Sequence, residues 1–309
     1  MVQVVSTVLL VTIFMFVLMR LLPGDPVRNL VSGGDATLTE EQIAAKEREL
    51  GLDKPWPEQY VRWVGGVLTG DWGRSASGSA KISDQIRERV PVTLQLAVLT
   101  WIVTLVFAIP IGIVSALKRN SWLDVGITTG ALAGLAAPNF VVALLLIILL
   151  TLELQWLPAR GYVSITDNPV DSLKHFTMPV ITLAIGGIAG IARQTRSAML
   201  EVLKEDYIRT ARAKGLSSWV VIVRHAVKNA LLPIVTLMGL RFGALISGSI
   251  IIESVFGIPG MGSLTITAVR QSDYNTIQIL VLLFALMTIA GNLAADFMYT
   301  RMDPRIRMG

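Results

Sequence analysis

Apolar runs of about 20 residues recur along this chain of 309 residues and constrain its fold more than any other feature. They cover residues 2–22, 92–117, 125–152, 178–199, 230–256 and 276–299. A helix of about 20 apolar residues crosses the hydrocarbon core of a bilayer, whereas runs of about 10–14 residues are more typical of helices buried in a soluble core. The sequence therefore predicts an all-α membrane protein with six transmembrane helices.

The composition supports a surface that faces lipid. Charged residues make up 16% of the chain and its mean hydropathy is +0.62, whereas an ordinary soluble domain is about 25% charged. No basic residue precedes the first run and no small-residue cleavage site follows it. We therefore interpret this run as a membrane helix rather than a signal peptide.

The distribution of basic residues predicts how the chain is oriented in the membrane. Lys118 and Arg119 follow the second span, residues 193–228 hold eight basic against three acidic residues, and three arginines lie in the tail. Positive charge favours the cytoplasmic side, so both termini are predicted to be cytoplasmic. The excess in residues 193–228 equals the net charge of +5 for the whole chain. The basic balance therefore indicates topology and not a nucleic-acid partner.

The spans divide the chain into four parts. These are a first transmembrane helix (residues 1–22), an extracytoplasmic insertion (23–91), a five-helix core (92–300) with a cytoplasmic loop at 201–229, and a cytoplasmic tail (301–309). In the insertion, Thr39 and Gln42 have capping-box spacing and Gly51 is a helix stop, which predicts a helix over residues 40–50. A second helix is predicted to start at Pro57. The insertion is interpreted either as a docking surface for a delivered substrate or as a cap that packs on the bundle.

The charged loop at 201–229 is the most informative polar segment. Residues 202–214 suit a helix that ends at Gly215, and a second helix is predicted from Ser217 or Ser218. The small residues Ala211 and Ala213 would let the surface of another protein approach closely. The loop is therefore interpreted as a docking element, and the alternative is a basic loop that only fixes topology.

Several kinds of chemistry are missing from the sequence. There is no Gly-x-x-x-x-Gly-Lys-Ser/Thr phosphate loop, no cysteine, and no metal-ligand cluster, since His175 and His225 lie far apart. Arg241 is the charged outlier, because it lies midway along the fifth span. A charge at that depth indicates either a water-filled pathway or a structural ion pair. Asp296, in the sixth span, is predicted to meet Arg193 or Arg196.

Eight short motifs in order resemble one known family. They are LPGDP (22–26), LGLDKPWPEQY (50–60), GDWGRS (70–75), VPVTLQLA (90–97), DYIRTARAKGL (206–216), RHAVKNALLP (224–233), ESVFGIPGMG (253–262) and DPRIR (303–307). The chain resembles the transmembrane permease subunits of binding-protein-dependent ABC importers, in the dipeptide, oligopeptide and nickel branch. This resemblance implies the type I importer permease fold.

The resemblance also assigns roles to residues. Asp206, Tyr207, Thr210, Ala211, Ala213 and Gly215 would belong to a coupling helix that docks on a cytoplasmic ATPase. Arg241 is assigned to the translocation pathway by its charge within an apolar span and not by the resemblance. Where the general importer pattern has Glu-Ala-Ala, this chain has Arg209, Thr210 and Ala211. The contact residues of the peptide branch are thus expected to differ from the general ones.

The function implied by the resemblance is ATP-driven import by alternating access in the cytoplasmic membrane. The implied partners are a second homologous permease, one or two ATPase subunits, an extracytoplasmic substrate-binding protein and membrane lipid. No cofactor is expected in this chain, since ATP and Mg²⁺ would be used by the ATPases. The expected cargo is short peptides, although the branch also carries nickel chelates, opines, glutathione and oligosaccharides. The alternative function is a self-sufficient secondary transporter or channel.

Overall fold

The computed structural model describes residues 2–21, 53–75 and 80–302. Apart from an isolated β-bridge between Arg74 and Lys81, the regular elements within those ranges are helices. They are α1 (Val2–Leu21), α2 (Trp56–Thr69), α3 (Ile82–Leu117), α4 (Trp122–Ala136), α5 (Asn139–Leu146, continued by a π-helical stretch Ile147–Glu153), α6 (Pro169–Val202), α7 (Asp206–Ala213), α8 (Ser218–Ala230, with π-helical Val221–Val227), α9 (Leu232–Phe256), α10 (Met261–Arg270) and α11 (Tyr274–Met302).

The predicted all-α membrane fold is confirmed. Within the described residues, three helices are long and apolar enough to cross a membrane, at Ile82–Leu117, Pro169–Val202 and Tyr274–Ala295, and there are up to six spans if each of three bent helix pairs counts as one. The six apolar runs of the sequence fall in α1, α3, α4 with α5, α6, α9 and α11.

The third predicted span, residues 125–152, is not one straight helix. It is broken between α4 and α5, whose axes are bent by 103°. Pro138 sits at the break and has no N–H to give to a helix, and it forces the preceding Ala137 into an extended conformation (φ −74°, ψ 121°). The start of α5 is consequently a free helix N-terminus within an apolar segment.

Two helices begin earlier than the apolar runs that they contain. α3 begins at Ile82, inside the range assigned to the insertion, and α6 begins at Pro169 rather than near residue 178. The start of α6 is capped by Asn168, whose side chain accepts a hydrogen bond of 3.2 Å from the backbone N–H of Asp171. The first turns of these two helices are helical but polar, so the apolar runs of the sequence do not include them.

The chain divides into two compact units, of which the first comprises residues 1–93 and 259–289. In this unit α2, the second helix predicted for the insertion, packs along α1. Tyr60 and Thr12 hydroxyls lie 2.8 Å apart, and Arg20 donates a hydrogen bond of 2.6 Å to Gln59. Phe16 makes an edge-to-face contact with Tyr60. These contacts favour the cap interpretation for α2, whereas the helix predicted over residues 40–50 lies outside the described residues.

A second group of contacts in the same unit holds the GDWGRS motif in place. Ser75 donates a hydrogen bond of 2.6 Å to the buried carboxylate of Asp273, which also accepts hydrogen bonds from the hydroxyl (2.6 Å) and backbone N–H (3.1 Å) of Thr276. Asp273 thereby caps the start of α11 and fixes the loop that carries the motif.

The second unit comprises residues 94–258 and 290–309 and has α6 at its centre. α4, α5, α8 and α9 all pack against α6. Gly134 of α4 faces α6 so closely that a methyl group there would lie 3.2 Å from Cγ2 of Ile185. Helix packing in lipid depends on such close approach rather than on exclusion of water. This unit holds all the residues that the sequence assigns to function.

Candidate functional site

The loop predicted to dock on another protein forms the short helix α7. The sequence predicted a single helix over residues 202–214, but α6 ends at Val202, and a turn separates it from α7 at Asp206. The predicted stop at Gly215 is confirmed: its φ of 79° lies in the left-handed region, which costs a side chain about 1–2 kcal/mol. The second predicted helix begins at Ser218.

α7 is fixed to the ends of the long helices by two apolar side chains. Ile208 is 1% exposed and Ala211 is 7% exposed. They belong to one buried cluster, whose other members come from the ends of α3 and α6 and from α8: Ala116, Ala198, Met199, Val221, Ala226 and Ala230. Full burial of an isoleucine side chain, such as that of Ile208, stabilises the fold by about 1.5–3 kcal/mol. The inner side of α7 is therefore packed in one apolar cluster with the ends of α3 and α6.

The opposite side of α7 is polar and open. Asp206 and Arg209 form an exposed ion pair, and the Thr210 hydroxyl donates a hydrogen bond of 2.9 Å to the backbone oxygen of Asp206. Tyr207 is 41% exposed, and its hydroxyl accepts a hydrogen bond of 3.0 Å from the Asn229 amide of α8. Ala213, the last residue of α7, and Gly215 beyond it are both exposed, and nothing lies within 4 Å of a Cβ placed on Gly215.

Ala211 is the predicted coupling residue that the structure places differently from its neighbours. From the sequence, the small side chain of Ala211 was predicted to let the surface of another protein approach closely. In the structure this side chain is instead buried in the cluster beneath α7. Its small size is explained by packing against the protein's own helices. Ile208, which the sequence did not single out, shares this inward side. The sequence did contain a signal for this burial, because Ile208 is a large aliphatic residue within an otherwise mostly polar helix.

A buried ion pair ties the same helix ends together. Asp124, at the start of α4, accepts hydrogen bonds of 2.7 and 2.8 Å from Nε and Nη2 of Arg196 on α6. It accepts two more, from the Ser115 hydroxyl of α3 at 2.5 Å and from the backbone N–H of Asn120 at 3.0 Å. The Asp124 side chain is 5% exposed and that of Arg196 is 25% exposed.

This ion pair gives Arg196 a different partner from the one predicted, and it lies next to the buried cluster under α7. The sequence predicted that Arg193 or Arg196 would meet Asp296, but Arg196 is engaged by Asp124, and the Asp296 side chain lies outside the described residues. Ser115 immediately precedes Ala116 of the buried cluster under α7. Asp124 therefore crosslinks α3, α4 and α6 beside the place where α7 rests.

A cavity of about 190 Å³ lies beside Arg241 in the same unit. Its walls come from four helices: Trp101 and Thr104 of α3, Asn139 of α5, Leu183, Gly186, Gly187 and Ile191 of α6, and Arg241, Ala244, Leu245 and Gly248 of α9. The guanidinium of Arg241 lies against the backbone of α6 at Gly190. A methyl group at Gly190 would be 2.5 Å from Nη2 of Arg241, so the guanidinium in this position depends on the absence of a side chain at Gly190 and would have to shift to accommodate one.

The surroundings of Arg241 favour one of the two interpretations that the sequence left open. Among the side chains that the structure describes, none forms an ion pair or hydrogen bond with Arg241. The side chain is exposed in this chain, although it lies within an apolar helix. A charge facing lipid at the middle of a helix costs about 2.5–3.5 kcal/mol. A polar pathway is the arrangement that avoids this cost.

Metal chemistry finds no support in the part of the chain that the structure describes. In residues 2–21, 53–75 and 80–302 there is no group of three or more His, Asp or Glu side chains that could hold a metal ion.

Comparison with known proteins agrees with the family resemblance of the sequence motifs over nearly the whole chain. Residues 108–308 match the family described as binding-protein-dependent transport system inner membrane component, and residues 1–97 match the N-terminal family of such membrane components. The chain is 41% identical over 305 residues to a putative peptide transport system permease protein of Brucella abortus, which covers 99% of this chain and 96% of that protein.

Two further relatives differ in the cargo that their names state. A probable peptide ABC transporter permease protein of Sinorhizobium fredii is 38% identical over 306 residues, with 99% of this chain and 97% of that protein covered. The glutathione transport system permease protein GsiC of Salmonella typhi is 40% identical over 304 residues, with 98% and 95% covered.

Solved structures share the fold at low sequence identity. Inward-facing conformations of the MetNI methionine ABC transporter match with a TM-score of 0.59 and 16% identity, over 70% of this chain and 95% of the matched chain. A crystal structure of an amino acid ABC transporter with histidines matches with a TM-score of 0.51 and 18% identity, over 71% and 94%.

Proposed function

Because the chain belongs to the family of binding-protein-dependent transport system inner membrane components, we propose that it moves short peptides across the cytoplasmic membrane as one of two paired permeases. The chain is a multi-pass membrane subunit of an ABC importer with the fold of type I importer permeases. Short peptides are the proposed cargo, since relatives of 38–41% identity are named as peptide permeases. Glutathione is the runner-up, from the name of a relative of 40% identity.

The observation that carries the coupling proposal is the two-sided character of α7. Its inner side is buried with the ends of α3 and α6, and its outer side presents Asp206, Tyr207 and Thr210. A cytoplasmic ATPase that binds the outer side would move the helix ends through the inner side. Ile208 and Ala211 would transmit this motion, and ATP would act by binding one of two states more tightly than the other.

The remaining partners and the orientation are part of the same proposal. ATP and Mg²⁺ would be bound by the separate ATPases, one under each permease, and this chain would hold neither. An extracytoplasmic binding protein would deliver the substrate on the opposite face. Lys118, Arg119 and the basic residues of α7 and α8 lie in segments that the positive-inside rule favours for a cytoplasmic side, and this supports the proposal that both termini are cytoplasmic.

A crosslinking experiment tests the docking role of α7 and the orientation together. The chain contains no cysteine, so a benzophenone maleimide reacts with this subunit only at an introduced thiol. Thr210→Cys, on the exposed side of α7, should crosslink to an ATPase subunit in native membranes. The products would be identified by mass spectrometry.

The matched control is Thr166→Cys, which is also exposed but precedes the start of the 34-residue helix α6. It lies at the opposite end of α6 from α7 and should crosslink to the binding protein or to no protein. A product between an ATPase and residue 166, with none at residue 210, would overturn both the docking role and the orientation.

A further inference from the structure

The cavity beside Arg241 combines three features that attract negative charge. The first is the guanidinium of Arg241, which forms no ion pair with any described side chain and lies against Gly190. An unpaired arginine in an apolar helix strongly favours an anion as its partner. By itself this residue indicates a polar pathway but does not say what is bound.

The second feature is the helix break at Pro138. The bend of 103° leaves the N-terminus of α5 within the apolar segment, and its first residue, Asn139, lines the cavity. The first N–H groups of a helix have no acceptor inside the helix and carry partial positive charge. Transporters with discontinuous membrane helices use such N-termini to bind anionic groups of their substrates.

The third feature is a buried hydroxyl without a partner. Thr104 lines the cavity and is 4% exposed, yet its Oγ1 forms no hydrogen bond with any described group. A threonine on a helix ordinarily returns its hydroxyl to the preceding turn, as Thr182 does to the backbone oxygen of Met178 at 2.8 Å. Leaving a hydroxyl unpaired is unfavourable. Oγ1 of Thr104 has almost no accessible surface in this conformation, so donation to a ligand in the cavity requires a rotation about χ1 of Thr104.

The size of the cavity limits what part of a ligand it can hold. Sites that enclose a whole small molecule have volumes of about 300–1,000 Å³, whereas this cavity has about 190 Å³. It can take one terminal group and leave the rest of the molecule in the pathway. The neighbouring walls are apolar apart from the three features, so a compact anionic group matches the site better than a zwitterion does.

We propose that Arg241, the N-terminus of α5 and Thr104 form a binding site for a carboxylate of the transported substrate. This proposal rests on the proposed function, because it names the group by which the pathway recognises a peptide. The site would bind the carboxylate after release from the binding protein. It would therefore select among molecules at the membrane step.

The test uses the complete importer in proteoliposomes and two probes, Ala-Ala-Ala and Ala-Glu-Ala. The first carries only its C-terminal carboxylate and the second adds a side-chain carboxylate. Arg241→Gln should lower uptake about tenfold, which corresponds to the loss of a charge-assisted hydrogen bond, while Arg241→Lys should keep at least about a third of it. Equal losses for both probes would assign the C-terminal carboxylate, and a loss for Ala-Glu-Ala alone would assign the side chain.

Thr104→Val separates binding from folding. The change keeps the shape of the side chain and removes an unpaired buried hydroxyl, so the thermal midpoint should stay the same or rise. Uptake should nevertheless fall roughly threefold through a higher KM. The matched control is Thr100→Val on the same helix, which also removes a buried unpaired hydroxyl but does not line the cavity. It should leave uptake unchanged.

Unchanged uptake of both probes by Thr104→Val and by Arg241→Gln would overturn the carboxylate site. The same conclusion would follow if Thr100→Val and Thr104→Val had equal effects on uptake. Failure of the unaltered importer to accumulate either probe with ATP would instead contradict the proposed peptide function, on which the site depends.

Discussion

Asp124→Ala is expected to destabilise the protein by about 3 kcal/mol, because it leaves the guanidinium of Arg196 largely buried without its partner. Removing one member of a buried pair typically costs about 3–5 kcal/mol, and the lower end applies since Arg196 keeps a quarter of its side chain exposed. The hydroxyl of Ser115 and the N–H of Asn120 lose their acceptor as well. The measurement is the thermal midpoint and the yield of the purified complex.

Two control variants separate the ion pair from a general effect of lost charge. The double variant Asp124→Leu with Arg196→Met should recover much of the stability, because an apolar pair replaces a buried ionic one at little cost. Glu58→Ala should cost less than about 1 kcal/mol, since the side chains of Glu58 and of its partners Lys54 and Arg62 are 40–51% exposed. A thermal midpoint for Asp124→Ala equal to that of Glu58→Ala would contradict the role of the pair.

Gly215→Val is expected to uncouple ATP hydrolysis from transport, and to lower the uptake per ATP hydrolysed by at least about tenfold. The φ of 79° at Gly215 is unfavourable for any side chain, by about 1–2 kcal/mol, and most for a β-branched one. The chain would leave this conformation and shift the end of α7, which the ATPase is proposed to hold. The ratio of uptake to phosphate release in proteoliposomes measures the effect, and membrane insertion should be unaltered.

The controls for Gly215 separate backbone conformation from lost space. Asn tolerates the left-handed region, so Gly215→Asn should keep coupling if conformation matters, and should lose it if the ATPase must come close to the backbone. Gly70→Val places the same strain at φ 82° in open space beyond the end of α2 and should leave the ratio unchanged. Normal coupling in Gly215→Val would rule out a role for this turn.

The sequence was sufficient for the features that depend on local composition. Apolar runs predicted the membrane helices, and the ends of α9 and α11 lie within about three residues of their runs. Gly215 correctly predicted where α7 stops, because a glycine in the left-handed region terminates a helix regardless of tertiary context. The start of α2 at Trp56, with Pro57 in its first turn, follows from the same local rules.

The geometry at Pro138 could not be predicted from the apolar run that contains it. A proline inside a span predicts a kink, but hydropathy is the same for a mild kink and for a bend of 103°. Both α4 and α5 pack against α6, and such long-range packing is not contained in the hydropathy of the run. That bend places the start of α5 at the cavity beside Arg241. From the sequence, the only sign of this cavity was an arginine within an apolar span.

Long-range pairing was the other feature beyond the sequence. Asp124 and Arg196 lie 72 residues apart, and several acidic residues were available to Arg196 on charge alone. Distance along the chain carries no information about which helix ends meet. The burial of Ala211 was missed for a related reason, because a small residue fits equally well beneath a partner protein and against the chain's own core.

ATP-driven import by a complex that contains this chain can be measured as ATP-dependent accumulation in proteoliposomes. The complex purified from native membranes through this chain would be reconstituted with the binding protein and a radiolabelled peptide. We expect accumulation that requires both the binding protein and ATP on the side of α7, and that stops when hydrolysis is blocked. Accumulation by this chain alone, driven by an ion gradient and indifferent to ATP, would contradict the account and make the protein a secondary transporter.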